Sequence, residues 1–285
     1  LRDGAQTQGV DFSVHDKRMI SDALDTLGID YIEGGWPGAN PTDTEFFAKD
    51  PGFKHAKFVA FGMTRGKGRS AANDPVVAPI LNAPTVGACF VGKSWTYQVD
   101  VALKVSYDEN LAMIGDTIAA AAAAGKEAMY DAEHFFDGYK ADRDYAIACA
   151  KAAFDNGARW VVLCDTNGGT LPHEVEAIIE DVLTVIPGER LGVHFHDDTG
   201  HAVANSLVAV RCGARQIQGT LNGLGERCGN ANLTSIIPTL LLKEPFASQF
   251  EIGVSRDALA DLTRVSRMLD DILNRVPQRQ AAYVG

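Results

Sequence analysis

Two histidines separated by one residue, His194 and His196, have the spacing in this sequence that most directly indicates chemistry. In an extended strand such residues project from the same face, and neutral imidazole is a common ligand of divalent metals. An apolar run precedes the pair and a helical pattern follows it. The pair is therefore expected at the carboxyl end of a strand, where α/β proteins carry their functional groups. The spacing alone leaves a metal site and an ordinary polar turn both open.

Composition and charge narrow the class of protein. The 285 residues are 46% hydrophobic and 22% charged, as in an ordinary globular chain, and the net charge is -11. That charge argues against nucleic acid or an anionic membrane as the main partner. No apolar run reaches the length of a membrane span. The five cysteines are scattered and form no Cys-x-x-Cys pair, which predicts free thiols and a cytoplasmic location. Because the chain starts at Leu1 and not at Met, we expect a fragment.

Glycines that follow helical patterns reveal a repeating unit. They stand shortly before β-rich runs, at Gly28, Gly125, Gly157, Gly188 and Gly213. Glycine is suited to the left-handed residue that ends a helix. The last four are spaced by 32, 31 and 25 residues, and the first two by 97, about three times 32. This spacing is typical of alternating strands and helices.

The pattern predicts specific elements. The first helix is expected over 14–27, with Ser13 as its N-cap. Further helices are expected near 74–81, 108–124, 142–156, 171–186, 202–211 and 231–242, and strands near 57–61 and 86–91. If residues 1–3 end a first strand, the chain has eight βα units. This favours an α/β fold, a (βα)8 TIM barrel with a truncated first strand, over an open doubly wound sheet. We assign 1–243 to the catalytic barrel and 244–285, with a helix near 256–274, to a truncated helical linker or subdomain.

In a barrel the residues that follow the strands share one mouth. Asp3, His194, His196 and Asn230 can then meet, offering oxygen and nitrogen ligands suited to Mg²⁺, Mn²⁺, Zn²⁺ or Co²⁺. Four such ligands would leave two positions of an octahedral ion for a 2-oxo acid, whose carbonyl the metal would polarise. Taken singly, Asp3 could instead be a turn or cap residue, and Asn230 a helix N-cap.

Three motifs carry a resemblance to a known family. They are Leu1-Arg-Asp-Gly-x-Gln6 with Lys17 beyond it, the run from Leu191 to Gly200 that contains His-x-His-Asp-Asp, and Asn222-Gly-Leu-Gly-Glu-Arg-Cys-Gly-Asn230. The chain resembles the 2-isopropylmalate, homocitrate and citramalate synthases over nearly its whole length. These belong to a metal-dependent TIM-barrel group that includes 3-hydroxy-3-methylglutaryl-CoA lyase. Segments 31–41 and 130–139 are most similar to the citramalate-forming branch.

The resemblance implies an acyltransferase that condenses acetyl-CoA with pyruvate, in a Claisen-type reaction, to give (R)-citramalate and CoA. It implies that Asp3, His194, His196 and Asn230 bind a divalent metal cation, that Arg2 lies beside the reacting carbonyls, that Glu133 deprotonates acetyl-CoA and that Thr166 holds the carboxylate of the oxo acid. It also implies a homodimer for the full-length protein and a role in isoleucine biosynthesis. The residues alone favour plainer roles, a salt bridge for Glu133 and a helix cap for Thr166.

Other activities remain open from the sequence. A larger 2-oxo acid would make the chain a 2-isopropylmalate or homocitrate synthase, because a small apolar pocket discriminates by only about 1–3 kcal/mol per methylene. The same metal site could serve a hydroxyacyl-CoA lyase, or the chain could be an inactive homologue. The glycine-rich, basic loop 62–69 could receive the phosphates of CoA or be a solvated connection. We expect the chain alone to be poorly active.

Overall fold

The computed structural model describes residues 1–285 and is built around a seven-stranded parallel sheet. The strands are β1 (Tyr31–Gly35), β2 (Lys57–Met63), β3 (Gly87–Lys93), β4 (Glu127–Glu133), β5 (Trp160–Asp165), β6 (Leu191–Phe195) and β7 (Gln216–Gln218). Each strand pairs in parallel with the next one along the chain, which gives the order β1 to β7. This curved sheet with helices outside it is the TIM-barrel architecture predicted from the sequence.

Helices connect the strands. They are α1 (Val14–Leu27), α2 (Pro41–Phe46), α3 (Val77–Asn82), α4 (Thr96–Gln98), α5 (Tyr107–Ala123), α6 (Phe135–Ala141), α7 (Arg143–Asp155), α8 (Pro172–Val182), α9 (Ala202–Cys212), α10 (Leu233–Leu242), α11 (Phe246–Gln249) and α12 (Leu259–Ile272). A π-helical turn, Val99–Leu103, follows α4, and short 3-10 turns lie at Gly4–Gln6, Ala71–Asn73, Gly188–Arg190 and Leu221–Gly223. None of the helices combines the length and the hydropathy that a membrane span requires.

Local sequence signals explain why α1 forms where it does. The Ser13 hydroxyl accepts a hydrogen bond from the Asp16 amide, and the Asp16 carboxylate accepts one from the Ser13 amide. This reciprocal cap satisfies donors that a helix start leaves open. Gly28 ends the helix with a φ of 96°, a left-handed conformation that favours glycine. The predicted bounds of α1 and its Ser13 cap are confirmed.

Residues 1–3 were expected to end a truncated first strand, and this assignment is wrong, because they form no strand. Asp3 has the dihedral angles of a right-handed turn and leads directly into the 3-10 turn Gly4–Gln6. The segment is nevertheless held beside β1, since the Arg2 amide donates to the Glu33 carbonyl at 3.3 Å. Strands β1 and β7 face each other without pairing. A cavity of about 740 Å³ lies between them, and Ile32, Ile217 and Ile236 are among its apolar lining residues.

Two apolar layers fill the fold. Alternate residues of β2 to β5 point inward and form a small core inside the curved sheet, consisting of Val59, Phe61, Cys89, Met129, Trp160, Val162 and Cys164. A much larger core of 42 buried residues lies between the sheet and the outer helices. The inner core fills part of the barrel interior.

The region after residue 243 packs on the barrel through α12. Val265 and Leu269 of this helix share an apolar cluster with Ile20 and Leu24 of α1. Asn222 bonds to the same helix, because its side-chain amide donates to the Ser266 carbonyl at 3.0 Å. The α12 helix therefore supports both α1 and the loop after β7. The division at residue 243 stays a prediction.

Candidate metal centre and active site

The two histidines lie where the sequence placed them, at the carboxyl end of β6. His194 is the fourth residue of the strand and is flanked by Cys164 of β5 and Gln218 of β7. His196 follows the strand and forms an isolated bridge with Asn230. Because the strand register is fixed on both sides, both imidazoles are held toward the interior of the mouth.

Three predicted ligands converge on one point. Nε2 of His194 lies 3.2 Å from Oδ2 of Asp3 and 3.3 Å from Nε2 of His196. The three donor atoms lie within 4.8 Å of one another, and all three residues are buried. One carboxylate oxygen and two imidazole nitrogens at this spacing suit a divalent transition metal or a similar cation.

Asn230, the fourth predicted ligand, stands beside this cluster. Its Nδ2 donates to Asp3 Oδ2 at 2.6 Å, while its Oδ1 is buried without a hydrogen-bond partner. Backbone bonds from the Asp197 amide to the Gly229 carbonyl and from the Ala231 amide to the Phe195 carbonyl fix its loop against β6. A buried amide oxygen without a partner is costly, so this atom is an available acceptor next to the three donors.

The protonation of the cluster follows from its burial and charges. Burial acts to raise the pKa of Asp3, but the Arg2 guanidinium and the hydrogen bond from His194 hold it well below its usual range. Burial acts to lower the pKa of His194, but Asp3 outweighs it and raises that pKa to about 9. Burial and the charge of His194 lower the pKa of His196 to about 4. A cation bound here would take the place of the proton on His194.

Arg2 is held in the mouth by hydrogen bonds to Glu33, Asp3 and Gln6 and by packing on Phe61. Its Nε donates to Glu33 Oε1 at 2.7 Å and its Nη1 to Asp3 Oδ1 at 2.9 Å. Its guanidinium carbon also lies 3.8 Å from the centroid of the Phe61 ring. The side chain is 16% exposed, so a fixed positive charge adjoins the Asp3 carboxylate and still reaches the solvent of the mouth.

Glu133 ends β4 in an ion pair. Its Oε2 accepts from Nζ of Lys93, its register partner on β3. The Lys93 carbonyl in turn accepts from Nδ2 of the buried Asn110 at 2.8 Å. The salt bridge that the residue alone suggested is thus formed. The Glu133 side chain remains 24% exposed at the mouth.

Thr166 follows β5 and does not cap a helix, because the next helix begins only at Pro172. Its hydroxyl oxygen accepts from the His134 amide at 2.9 Å, and its carbonyl accepts from the Arg227 guanidinium at 2.7 Å. The hydroxyl proton therefore remains free to donate. The same contacts join the loops after β4 and β5, so Thr166 and Glu133 lie on adjoining parts of the mouth.

Three polar residues near the site were not recognised in the sequence. Lys93 pairs with Glu133, and Gln218 bonds His194 and Asp131, both at 2.8 Å. Burial and the charge of Glu33 raise the pKa of Asp131 to about 6. The only sequence signal for these three residues is a polar side chain within an otherwise apolar strand. The sequence does not show which partner each residue contacts, because that depends on the strand register.

Two arginines near the mouth, Arg65 and Arg227, are held in ion pairs. Arg65, in loop 62–69, pairs with Glu109 at 2.8 Å and with Asp116 at 2.8 Å. The positive charge of Arg65 is therefore already neutralised within the protein. Arg227 donates twice to the Asp198 carboxylate, at 2.8 and 2.9 Å, and thereby braces the loop that carries Asn230.

Comparisons with known proteins agree with this geometry. The sequence model of the HMGL-like family matches residues 1–268. The chain is similar to the (R)-citramalate synthase of Aquifex aeolicus (strain VF5), at 48% identity over 287 residues, covering 100% of this chain and 53% of the relative. It is also similar to the 2-isopropylmalate synthase of Vibrio cholerae serotype O1 (strain M66-2), at 32% identity over 292 residues, covering 100% of this chain and 54% of the relative.

A solved structure shares the fold. It is an HMG-CoA lyase from Acenitobacter baumannii in complex with coenzyme A and 3-methylmalate, with a TM-score of 0.79 and 22% sequence identity. The match covers 100% of this chain and 92% of that chain. The chain spans about half the length of the curated synthases it matches.

Proposed function

The chain belongs to the HMGL-like family, and on that premise we propose that it carries the active site of a citramalate-forming acyltransferase. The reaction is the condensation of acetyl-CoA with pyruvate, followed by hydrolysis of the thioester to release CoA. The observation that carries this proposal is the convergence of Asp3, His194 and His196 on one point beside Arg2, in a chain 48% identical to a citramalate synthase.

The metal site is the first part of the proposal. Asp3, His194 and His196 would hold a divalent cation, with the unpartnered Oδ1 of Asn230 as the fourth ligand. A cation there would supply Lewis-acid polarisation of the keto oxygen of pyruvate. The donor set fits several ions, namely Mg²⁺, Mn²⁺, Zn²⁺ and Co²⁺.

Glu133 is proposed as the base that starts the reaction. It takes a proton from the methyl group of acetyl-CoA. The methyl carbon of the resulting enolate then attacks the keto carbon of pyruvate to form the new C–C bond. The keto oxygen gains a proton, and water then cleaves the thioester to free CoA. The ion pair with Lys93 occupies Oε2 of Glu133, so Oε1 is the oxygen available to accept the methyl proton. Lys93 holds the carboxylate in place while the proton is transferred.

Arg2 and Thr166 are proposed to position the two substrates. The fixed guanidinium of Arg2 stabilises negative charge as it develops on the reacting carbonyl oxygens, and its contacts with Glu33 and Asp3 prevent it from swinging away. The free hydroxyl proton of Thr166 donates to the carboxylate of pyruvate. Both groups are in place before substrate binds, which lowers the cost of ordering them.

The assignment of pyruvate rests on similarity. The chain shares 48% identity with a citramalate synthase and 32% with a 2-isopropylmalate synthase. A larger 2-oxo acid is the second candidate. A hydroxyacyl-CoA lyase is the third, because a lyase of this fold binds coenzyme A and 3-methylmalate. We further propose that the full-length protein is a cytoplasmic homodimer acting in isoleucine biosynthesis.

An oxo-acid panel tests the proposal. CoA release from acetyl-CoA is measured by thiol detection with pyruvate, 2-oxoisovalerate or 2-oxoglutarate, using the full-length protein with and without a chelator. We expect turnover with pyruvate that the chelator abolishes and Mn²⁺ restores. A higher kcat/KM with another acid would assign that acid as the substrate in place of pyruvate. Formation of acetyl-CoA from 3-hydroxy-3-methylglutaryl-CoA, without condensation, would identify the chain as a lyase.

A further inference from the structure

A chain of two hydrogen bonds lies behind His194, on the side away from Asp3. Nδ1 of His194 lies 2.8 Å from Oε1 of Gln218, and Nε2 of Gln218 donates to Oδ1 of Asp131 at 2.8 Å. Asp131 and His194 are both buried, so water does not compete strongly for these bonds. These are the only side-chain hydrogen bonds that Gln218 makes, and both of its functional groups are used.

The direction of the chain follows from the chemistry of its members. Ionised Asp131 can only accept, so the amide nitrogen of Gln218 must face it. The amide oxygen of Gln218 then faces His194 and can only accept, so the proton of the ring must sit on Nδ1. In the neutral ring that binds a cation, the lone pair then lies on Nε2 of His194 and faces the point shared with Asp3 and His196. The flipped amide would place its donor group against the imidazole and its oxygen against a carboxylate.

We propose that Gln218, oriented by Asp131, is a positioning residue that holds His194 in the tautomer and ring orientation needed to bind the cation. The inference rests on the proposed metal site. It adds a specific requirement: the affinity for the ion depends on a residue that does not touch it. Outer-shell hydrogen bonds of this kind fix the ligand ring and raise its basicity, and their loss typically weakens metal binding by about 10–100-fold.

The chain offers a matched control in Gln216. It lies two residues earlier on the same strand, points to the same side and is about as buried, yet its Oε1 has no hydrogen-bond partner. Replacing either glutamine by leucine removes the same polar group from β7. Only Gln218→Leu removes an acceptor from His194, so the two variants separate positioning from general effects on the strand.

The experiment is a Mn²⁺ titration of the metal-free full-length protein and of the variants Gln218→Leu and Gln216→Leu, with unfolding midpoints recorded alongside. We expect Gln218→Leu to weaken Mn²⁺ binding by about 10–100-fold and Gln216→Leu by less than about threefold. Equal affinities for the two variants would overturn the inference while leaving the metal site intact. Failure of the unsubstituted protein to bind Mn²⁺ would instead overturn the proposed site, and the inference with it.

A second measurement needs no variant and therefore does not depend on how well Gln218→Leu folds. In the Zn²⁺-loaded protein, a ¹H–¹⁵N correlation spectrum of the histidine rings reports which nitrogen of His194 carries the proton. A proton on Nδ1 supports the inference. A proton on Nε2 overturns it, because that tautomer has no proton on Nδ1 to donate to Gln218 and no lone pair on Nε2 for the cation.

Discussion

Oδ2 of Asp3 lies 3.2 Å from Nε2 of His194, although the two residues belong to distant parts of the sequence. The contact joins the first turn to β6. It explains why neither residue can be assigned as a ligand from its local sequence alone. Their shared position makes Asp3 the most direct test of the metal site.

We predict that Asp3→Asn reduces Mn²⁺ affinity by roughly 100-fold or more, above the range for an outer-shell partner, because it removes the only carboxylate of the donor cluster. Isothermal titration with Mn²⁺ measures the change. Asp137→Asn is the control, since that carboxylate lies at the mouth but bonds Asn167. Unchanged affinity in Asp3→Asn would place the ion elsewhere.

Replacement of the proposed base should separate catalysis from metal binding. Glu133→Gln keeps the size of the side chain but cannot take a proton, so we expect kcat to fall by about 10²–10⁴-fold. Mn²⁺ affinity should stay within about threefold, because Glu133 is not part of the donor cluster. Steady-state CoA release and the titration above measure the two effects. Retained kcat would assign deprotonation to another group.

The ion pair of Lys93 with Glu133 predicts that replacing Lys93 lowers kcat less than replacing Glu133 does. Lys93→Met removes the cation that positions the carboxylate, and we expect kcat to fall by about tenfold, well below the effect of Glu133→Gln. Lys93→Arg should retain most of the activity because it keeps a donor facing Glu133. If Lys93→Arg were as impaired as Lys93→Met, a positioning role through charge would be wrong.

The raised pKa of Asp131 predicts a stability that depends on pH. Its pKa rises from 3.8 to about 6 on folding, chiefly by burial and the charge of Glu33, so the folded protein binds this proton more tightly than the unfolded chain. The folded state therefore loses stability as pH rises from about 4 to about 6. Asp131→Asn has no such loss. It should be more stable than the unsubstituted protein at pH 7, by on the order of 2 kcal/mol, and about equal at pH 4.

Urea unfolding of the metal-free protein at both pH values tests this. Asp22→Asn, on the exposed face of α1, is the control and should leave the difference between the two pH values unchanged. A variant at Asp131 that is less stable at pH 7 would show that the carboxylate stabilises the fold through Gln218 more than its burial costs.

Phe195 separates the two histidines and points to the opposite face of β6, where its ring packs 5.2 Å from that of Phe136. It is fully buried, so Phe195→Ala should destabilise the protein by about 3–5 kcal/mol. Phe195→Leu should cost clearly less, because it fills more of the cavity. Denaturant midpoints measure both. Equal effects would show that the site collapses around either residue.

The sequence predicted most accurately what local chemistry determines. The Ser13 cap and Gly28 define α1 without reference to the rest of the fold, and the strands β2 and β3 begin within one residue of their predicted positions. The barrel was predicted from the repetition of one strand–helix unit along the chain. Each of these features depends on residues close together along the chain.

What the sequence did not reveal depends on contacts between distant residues. Leu1–Asp3 was counted as a strand end, but the turn that follows it fixes a different conformation. The pairing of Lys93 with Glu133 and of Gln218 with His194 requires the register of neighbouring strands. The converging ligands were placed through the predicted barrel, because only the curvature of the sheet brings Asp3 near β6.

Asp3 is attached to β1 through the bond from the Arg2 amide to the Glu33 carbonyl, whereas His194 belongs to β6. A cation bound by both residues would link two segments that no strand pairing joins, and would therefore stabilise the fold as well as take part in the reaction. Loading with Mn²⁺ at 100 times its Kd would then add about 2.7 kcal/mol to the free energy of unfolding.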